Sequence, residues 1–469
     1  MIRIFLTTLL AGFCVPGFLL SQVPHIEGHV TISRTAGTIS CDLTLTRLPE
    51  AADYTLWLNS GLNIEMLDNA AEPLRRYVPD RYYNPDESYE AFQYVIRNQS
   101  GKMPLPPSLH IKYTGKFPVY DSIANMYDWE DWMGNMAFNG STLRASDQSA
   151  WYPILYDVSL KKAYKAVTYN LTVRCADCTS LYLSGAAPAP GPEATLQATS
   201  PVHLLLFAGA YAFVEKDHLF FLNTPLSPAQ ISSLNAHKDR IVAYYEQQTG
   251  IPYGSALTFV ATRASALKPG FSFVSYPTIT FVGNNEGTWD ITTLFDKTTA
   301  QFVPDQIPFL AHELAHYYVG TLYKPSGTLY WLFNEGLTEY LASAYVQHNQ
   351  PDTAYKRLLT RYKAQTREII TFVPPGEVKQ AADIAFDLYR YQYVPLLLTA
   401  IRHRVGEKIM WQWIRHILTD PAPAADYPYL LRSMKAAGIT DQDIRYIDQM
   451  WLTGAGARDN LLQYLNQYP

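Results

Sequence analysis

The chain has 469 residues, a net charge of −5 and 17% charged residues, with no basic run, which argues against nucleic acid as a partner. Its 48% hydrophobic content is that of a globular protein with a sizeable core. The length predicts two or three domains.

Residues 1–22 carry Arg3 and then an apolar run from Ile4 to Leu20, the pattern of a secretory signal peptide. Pro16 and the shortness of the run argue against a membrane span, which needs about 20 apolar residues. Cys14 follows the bulky Phe13, where a lipoprotein signal has a small residue, so cleavage is expected near Ser21 or Gln22. No later stretch is long and apolar enough to cross a bilayer. The expected location is outside the cytoplasm, periplasmic or secreted, with no membrane span in the mature chain.

Residues 23–212 read as a β-rich domain. His29 to Thr46 alternates apolar and polar residues, as do Phe92 to Ile96, Leu109 to Tyr113 and Tyr164 to Arg174. Asn84-Pro85, Pro104 to Pro107 and Pro188 to Pro192 punctuate them. An antiparallel sandwich or saddle is expected, with Leu205 to Val214 as its last strand. Once Cys14 leaves with the signal, Cys41, Cys175 and Cys178 remain. Cys175-Ala176-Asp177-Cys178 fits a zinc half-site, a redox pair or a local disulfide. No second C-x-x-C completes a zinc site, and an exported chain favours a disulfide, but which two of the three pair stays open.

A helix is expected from Ser227-Pro228, a cap followed by proline at the first helical position, to about Gln248, with Gly250 ending it. Leu257 to Thr262 and Thr278 to Val282 read as strands. Then comes Phe309 to Tyr340, which opens with His312-Glu313-Leu314-Ala315-His316, an H-E-x-x-H. Histidines four apart share one face of a helix and can bind one Zn²⁺, with Glu313 beside them as a candidate general base. Asp305 is a possible N-cap of this helix and Gly320 its stop. Separated from His316 by eighteen residues, Glu335 sits in a second apolar helix, Trp331 to about Val346, where a lone carboxylate is costly unless paired or metal-bound. Three protein ligands and an open fourth position describe a catalytic zinc rather than a structural one. Glu339, one turn after Glu335, is placed either to accept a hydrogen bond from a ligating histidine or to face solvent. Beyond residue 350 the pattern is helical.

H-E-L-A-H, the eighteen-residue gap and W-L-F-N-E-G-L-T-E-Y together resemble the zinc site of the aminopeptidase N and leukotriene hydrolase family of gluzincins. The resemblance implies an α+β fold: a β-sandwich or saddle over 23–212, then a thermolysin-like zinc metallopeptidase domain over 213–469, mixed to about 350 and helical from 351. It implies one Zn²⁺ per chain held by His312, His316 and Glu335, with Glu313 activating water. Trp151-Tyr152-Pro153 to Asp157 resembles a segment of the family's N-terminal domain. In the family a tyrosine donates to the oxyanion from a helix that ends at a glycine fifteen residues later. Counting back from Gly406 gives Tyr391, with Tyr389 and Tyr393 as rivals. The chain stops at Pro469, too early for the helical C-terminal domain of the large aminopeptidases.

One departure stands out. In the family a G-x-M-E-N segment upstream of the zinc helix grips the substrate's free α-amine through its Glu. Pro269 to Pro277 (PGFSFVSYP) has no carboxylate there, and Glu286 is a distant substitute. A related W…E-G-x-T-x-Y segment also occurs in glycyl aminopeptidases, which usually add a further domain. The expectation is an exported zinc metallopeptidase acting on a peptide or protein substrate, with aminopeptidase specificity in doubt. The alternative is a non-catalytic zinc-containing protein that binds peptides or glycans.

Overall fold

The computed structural model describes residues 23–49, 54–69, 72–77, 90–99, 108–121, 131–160, 162–216, 219–254, 256–266, 270–284, 288–420 and 424–467. The expected signal peptide, Cys14 and Glu286 lie outside the described residues.

The first half is built of three sheets. The largest runs, in order, Glu193–His203, Ala166–Cys175, His25–Ser33, Thr38–Thr46, Ser108–Lys116 and Leu62–Asp68. Alternation sets its face: Ile39, Cys41, Leu43 and Leu45 point inward from one strand, Val167, Tyr169, Leu171 and Val173 from another. The run read as His29 to Thr46 is a hairpin that reverses around Gly37, whose φ of +67° suits glycine. The sheet departs from the expected antiparallel pattern in one place. His25–Ser33 pairs in parallel with Ala166–Cys175, because the chain returns to this edge only after a long excursion that completes the second sheet and begins the third. Those sheets run Lys162–Tyr164, Ile154–Asp157, Tyr54–Asn59, Ala91–Arg97, Arg75–Tyr77 and Ala189–Pro190, Ser180–Leu183, Leu206–Gly209, Thr142–Ala145, Ala137–Phe138. All three share a core around Trp57, Tyr113 and Trp151, in which Tyr113 donates to the Trp151 carbonyl at 2.8 Å.

Leu205 to Val214, expected as one strand, is two. Leu206–Gly209 ends the first half, and Phe213–Lys216 opens a new sheet with Leu219–Leu222. The run reads as continuous because both pieces are apolar. The new sheet is ordered Phe213–Lys216, Leu219–Leu222, Thr258–Arg263, Thr278–Gly283, Phe271–Ser275. Its middle three strands are parallel and buried along nearly their whole length, as strands covered on both faces are. Phe271–Ser275 is an antiparallel edge.

Helix α1 (Pro228–Thr249) follows its sequence signals: Ser227 accepts from the Gln230 amide and Gly250 closes it in the left-handed region. Then come α2 (Ile307–Ala315), α3 (Leu337–Asn349), α4 (Asp352–Arg367), α5 (Val394–Val405), α6 (Glu407–Thr419), α7 (Tyr427–Ala436), α8 (Asp441–Ile447) and α9 (Ala457–Leu465). They bury a second core through Leu310, Leu341, Leu397, Trp413 and Trp451. A small cluster of Tyr182, Phe207, Tyr211, Leu222 and Val260 joins the two halves. Cys175 and Cys178 are disulfide-bonded, leaving Cys41 free and buried. The bond removes the thiolates a zinc half-site needs.

Candidate active site

Helix α2 does not start as expected. A tight turn, Pro304–Gln306, precedes it, and Asp305 points outward to Arg357 at 3.2 Å instead of capping. Nor does the helix reach Gly320: it ends at Ala315, and the chain turns through Gly320 at φ +102°. His316 is the residue just past the last turn and keeps helical angles, so its imidazole still meets that of His312 edge to face, ring centres 4.8 Å apart.

Glu335 sits in a wide π-type turn, Leu332–Gly336, immediately before α3. Such a bulge inserts a residue into the helical ladder and re-aims the side chain at that point. Gly336 lets the turn lie against α5, since a Cβ there would come within 2.2 Å of Val394 Cγ1. The result brings the Glu335 Oε2 to 3.3 Å from His312 Nε2 and 3.6 Å from His316 Nε2. Its other oxygen accepts from Asn334 Nδ2 at 2.9 Å.

The far nitrogen of each ring is already engaged. His312 Nδ1 meets Glu339 Oε2 at 2.8 Å, and Glu339 in turn accepts from the Tyr362 hydroxyl. His316 Nδ1 meets the Val319 carbonyl at 3.2 Å. Glu339 therefore faces the histidine and not solvent. With Nδ1 fixed on an acceptor, both Nε2 atoms are turned toward Glu335, and one ligand atom from each of the three residues lies within 4.8 Å of the others. Two imidazoles and a carboxylate, oriented by outer hydrogen bonds, form a donor set that zinc accepts.

The histidines and carboxylates are coupled by charge. Burial works against charging His312, yet its hydrogen bonds to Glu335 and Glu339 raise its pKa to about 10. Burial likewise works against an ionised Glu335, yet the charge of His316 and the hydrogen bonds to both rings hold it well below the usual carboxylate range. The carboxylates are thus satisfied by positive charge held between them.

Glu313, beside His312 on α2, is buried, and its Oε1 accepts from Ser272 Oγ at 2.9 Å. Ser272 comes from the edge strand Phe271–Ser275. It gave no signal in the sequence, where that stretch was notable only for lacking carboxylates. Nothing acidic stands on the described part of this strand. The rings of Phe271 and Phe273 stack 5.9 Å apart, under the guanidinium of Arg144.

Tyr391 lies in a second π-type turn, Tyr389–Tyr393, with its ring 5.6 Å from that of His312. The rivals are elsewhere. Tyr389 is buried and donates to the Val373 carbonyl at 2.9 Å; Tyr393 is buried and donates to the Trp451 carbonyl at 3.1 Å. Burial, followed by the negative charge of Glu335, pushes the Tyr391 phenol up, so it stays a donor.

No protein-family model matches the sequence, and no curated protein matches it. Solved structures do. Leukotriene A4 hydrolase from Saccharomyces cerevisiae superposes with a TM-score of 0.63 at 15% identity, over 92% of this chain and 67% of that one. An M1 zinc metallopeptidase from Deinococcus radiodurans, as a Glu-to-Ala mutant, superposes with a TM-score of 0.59 at 14% identity, over 92% of this chain and 94% of that one. The same peptidase bound to a Tyr-Ser-Ala substrate gives 0.58 at 14% identity, over 91% and 93%. This chain thus spans about two thirds of the length of the yeast hydrolase and nearly all of the Deinococcus enzyme. It is an α+β protein with a helical C-terminal region and has the fold of the M1 zinc metallopeptidases and leukotriene A4 hydrolase.

Proposed function

We propose that the protein is a zinc-dependent peptidase in which His312, His316 and Glu335 hold one Zn²⁺ and Glu313 is the general base. One observation carries this: both Nε2 atoms and the Glu335 carboxylate converge, and Glu313, next to His312 in the chain, is buried with its carboxylate held by Ser272. Zinc bound there supplies a Lewis acid and brings the pKa of a bound water toward about 7. Glu313 takes a proton from the attacking water and returns it to the leaving amine. Ser272 holds the Glu313 carboxylate in place from the edge strand. Tyr391 donates its phenol hydrogen to the developing oxyanion. Glu339 and the Val319 carbonyl keep both rings in the ligating orientation. Residues 213–469 form the catalytic part, residues 23–212 the β-rich part, and residues 1–22 an export leader in this reading.

The described part of the edge strand offers no carboxylate to an ammonium group, so the substrate is an internal or blocked peptide bond rather than a free N-terminus. The same observation favours a second reading, a zinc-containing peptide- or glycan-binding protein without turnover. A peptide library with free and acetylated N-termini, incubated with the zinc-loaded protein, separates the two. Chelator-sensitive cleavage indifferent to acetylation is expected. Stoichiometric zinc with no cleavage selects the binding protein. Metal analysis showing no zinc overturns both.

A further inference from the structure

Arg390 precedes Tyr391 in the same π-type turn and has no part in the chemistry above. Its guanidinium lies 4.6 Å from the ring of Trp331 and 4.9 Å from the ring of Tyr391. The side chain is 20% exposed. Trp331 stands four residues before Glu335, and the Glu335 carboxylate is near enough for its charge to act on Arg390. Burial disfavours its charge, but the neighbouring Tyr391, Glu335 and Asp387 more than restore it. The guanidinium has five N–H donors in a rigid fork. Nη2 meets Asp387 Oδ1 at 2.7 Å, and that aspartate is 75% exposed, free to turn into water. Nε is buried and meets no acceptor among the described residues. A half-buried cation clamped between two rings, with donors to spare, is arranged to receive a carboxylate.

We infer that Arg390 binds a carboxylate of the substrate, so that the protein selects peptides by a negative charge near the scissile bond. The inference rests on the zinc-peptidase reading. The run of contacts from His312 through Tyr391 to Arg390 covers about three residues of extended chain, which bounds the distance from the scissile bond to the charge. An α-carboxylate at the substrate's C-terminus and an Asp or Glu side chain both supply that chemistry. A device that merely propped Tyr391 would be indifferent to which peptide was bound.

The test uses zinc-loaded full-length protein and four zinc-chelating succinyl hydroxamates on a dipeptide: C-terminal acid or amide, each with Asp or Asn. Calorimetry gives the dissociation constants for wild type, Arg390→Gln and Arg390→Lys. Wild type is expected to bind a carboxylate form about tenfold tighter than its neutral isostere, a ratio typical of one charge-assisted pair. The acid/amide and Asp/Asn arms show which carboxylate is read. Arg390→Gln is expected to shrink that ratio to within about twofold while leaving the neutral compounds' affinity alone, and Arg390→Lys to keep part of it. Equal binding of all four by wild type overturns the proposal, as does a ratio that survives in Arg390→Gln. Equal losses across all four in Arg390→Gln assign it to propping Tyr391 instead. If Arg390→Gln does not fold, the wild-type ratio and Arg390→Lys decide. Failure of every hydroxamate to bind overturns the zinc reading itself, and this inference with it.

Discussion

Two buried ionic clusters lie within a few side chains of one another, and they are built on opposite plans. In the first, Arg144 Nη2 meets Asp131 Oδ1 at 2.5 Å, each side chain 1% exposed. Asp131 also accepts from Asn135 Nδ2 and the Ser265 amide, and Arg144 Nη1 donates to the Trp132 carbonyl. Burial would raise the Asp131 pKa, but the Arg144 charge and these hydrogen bonds hold it below the usual range. One cation meets one anion, and both carboxylate oxygens are filled by the protein. In the second cluster Glu313, Glu335 and Glu339 surround two imidazoles. There Ser272 holds Glu313, Tyr362 and His312 hold Glu339, and both Nε2 atoms and one Glu335 oxygen are left converging on one another. A self-neutralised pair is architecture; a surplus of converging donors is a place for something else.

The sharpest way to break that contrast is Glu313→Gln. The amide keeps the shape and cannot take a proton, so turnover is expected to fall by about 10⁴ with zinc still stoichiometric. An active Glu313→Gln protein would refute the base assignment, whatever the metal content. The next largest effect falls on the other cluster. Arg144→Met leaves Asp131 buried without its partner and is expected to cost about 3–5 kcal/mol in urea unfolding, with zinc content unchanged. If Arg144→Met instead lost zinc and kept its stability, the two clusters would have been assigned the wrong way round.

The convergence of His312, His316 and Glu335 was legible in the sequence because the proposed zinc chemistry needs fixed residue types at fixed spacing. His312, Glu313, His316 and Glu335 can be read from a regular expression and a helical period. The details that aim them could not. The π-type turn at Leu332–Gly336 and the early end of α2 come from packing against α5 and from the turn through Gly320. Propensity does not report packing. Ser272 was invisible for a different reason. A serine in an apolar strand carries no spacing rule, and only the position of the edge strand beside α2 gives its hydroxyl a partner. The first half shows the same division. Its strands were readable by alternation, but the parallel pairing of His25–Ser33 with Ala166–Cys175 depends on the order in which the sheets are laid down.

Tyr391→Phe tests the part of the site that lay between these cases, where counting left three tyrosines and packing separates them. Loss of the hydroxyl is expected to lower kcat by about 10²-fold with little change in stability, the usual cost of one oxyanion donor. Tyr389→Phe and Tyr393→Phe are expected to do the reverse: each leaves a carbonyl, that of half-buried Val373 or buried Trp451, without its donor, at about 1–3 kcal/mol of stability, and leaves kcat close to wild type. Equal kcat losses in all three would mean that the tyrosine cluster acts through shape and not through one hydrogen bond.

The smallest effect concerns a third ionic group, at the surface, built on the saturated plan. Asp177, between the bonded Cys175 and Cys178, accepts from the Thr35 amide and hydroxyl, the Arg34 amide and the Ser33 hydroxyl. Partial burial raises its pKa, but these donors outweigh that and bring it down to about 2. A carboxylate whose folded pKa lies below its unfolded value of about 3.9 stabilises the fold fully above that value and loses the effect as pH falls toward 2. Wild type should therefore lose thermal midpoint between pH 5 and pH 2.5 more steeply than Asp177→Asn. The asparagine places an NH₂ where one oxygen received donors, so the variant should start lower at pH 5 and converge on wild type in acid. Parallel curves would show that the hairpin at Ser33 to Thr38 is held by the Cys175–Cys178 turn as a shape, with no contribution from its charge.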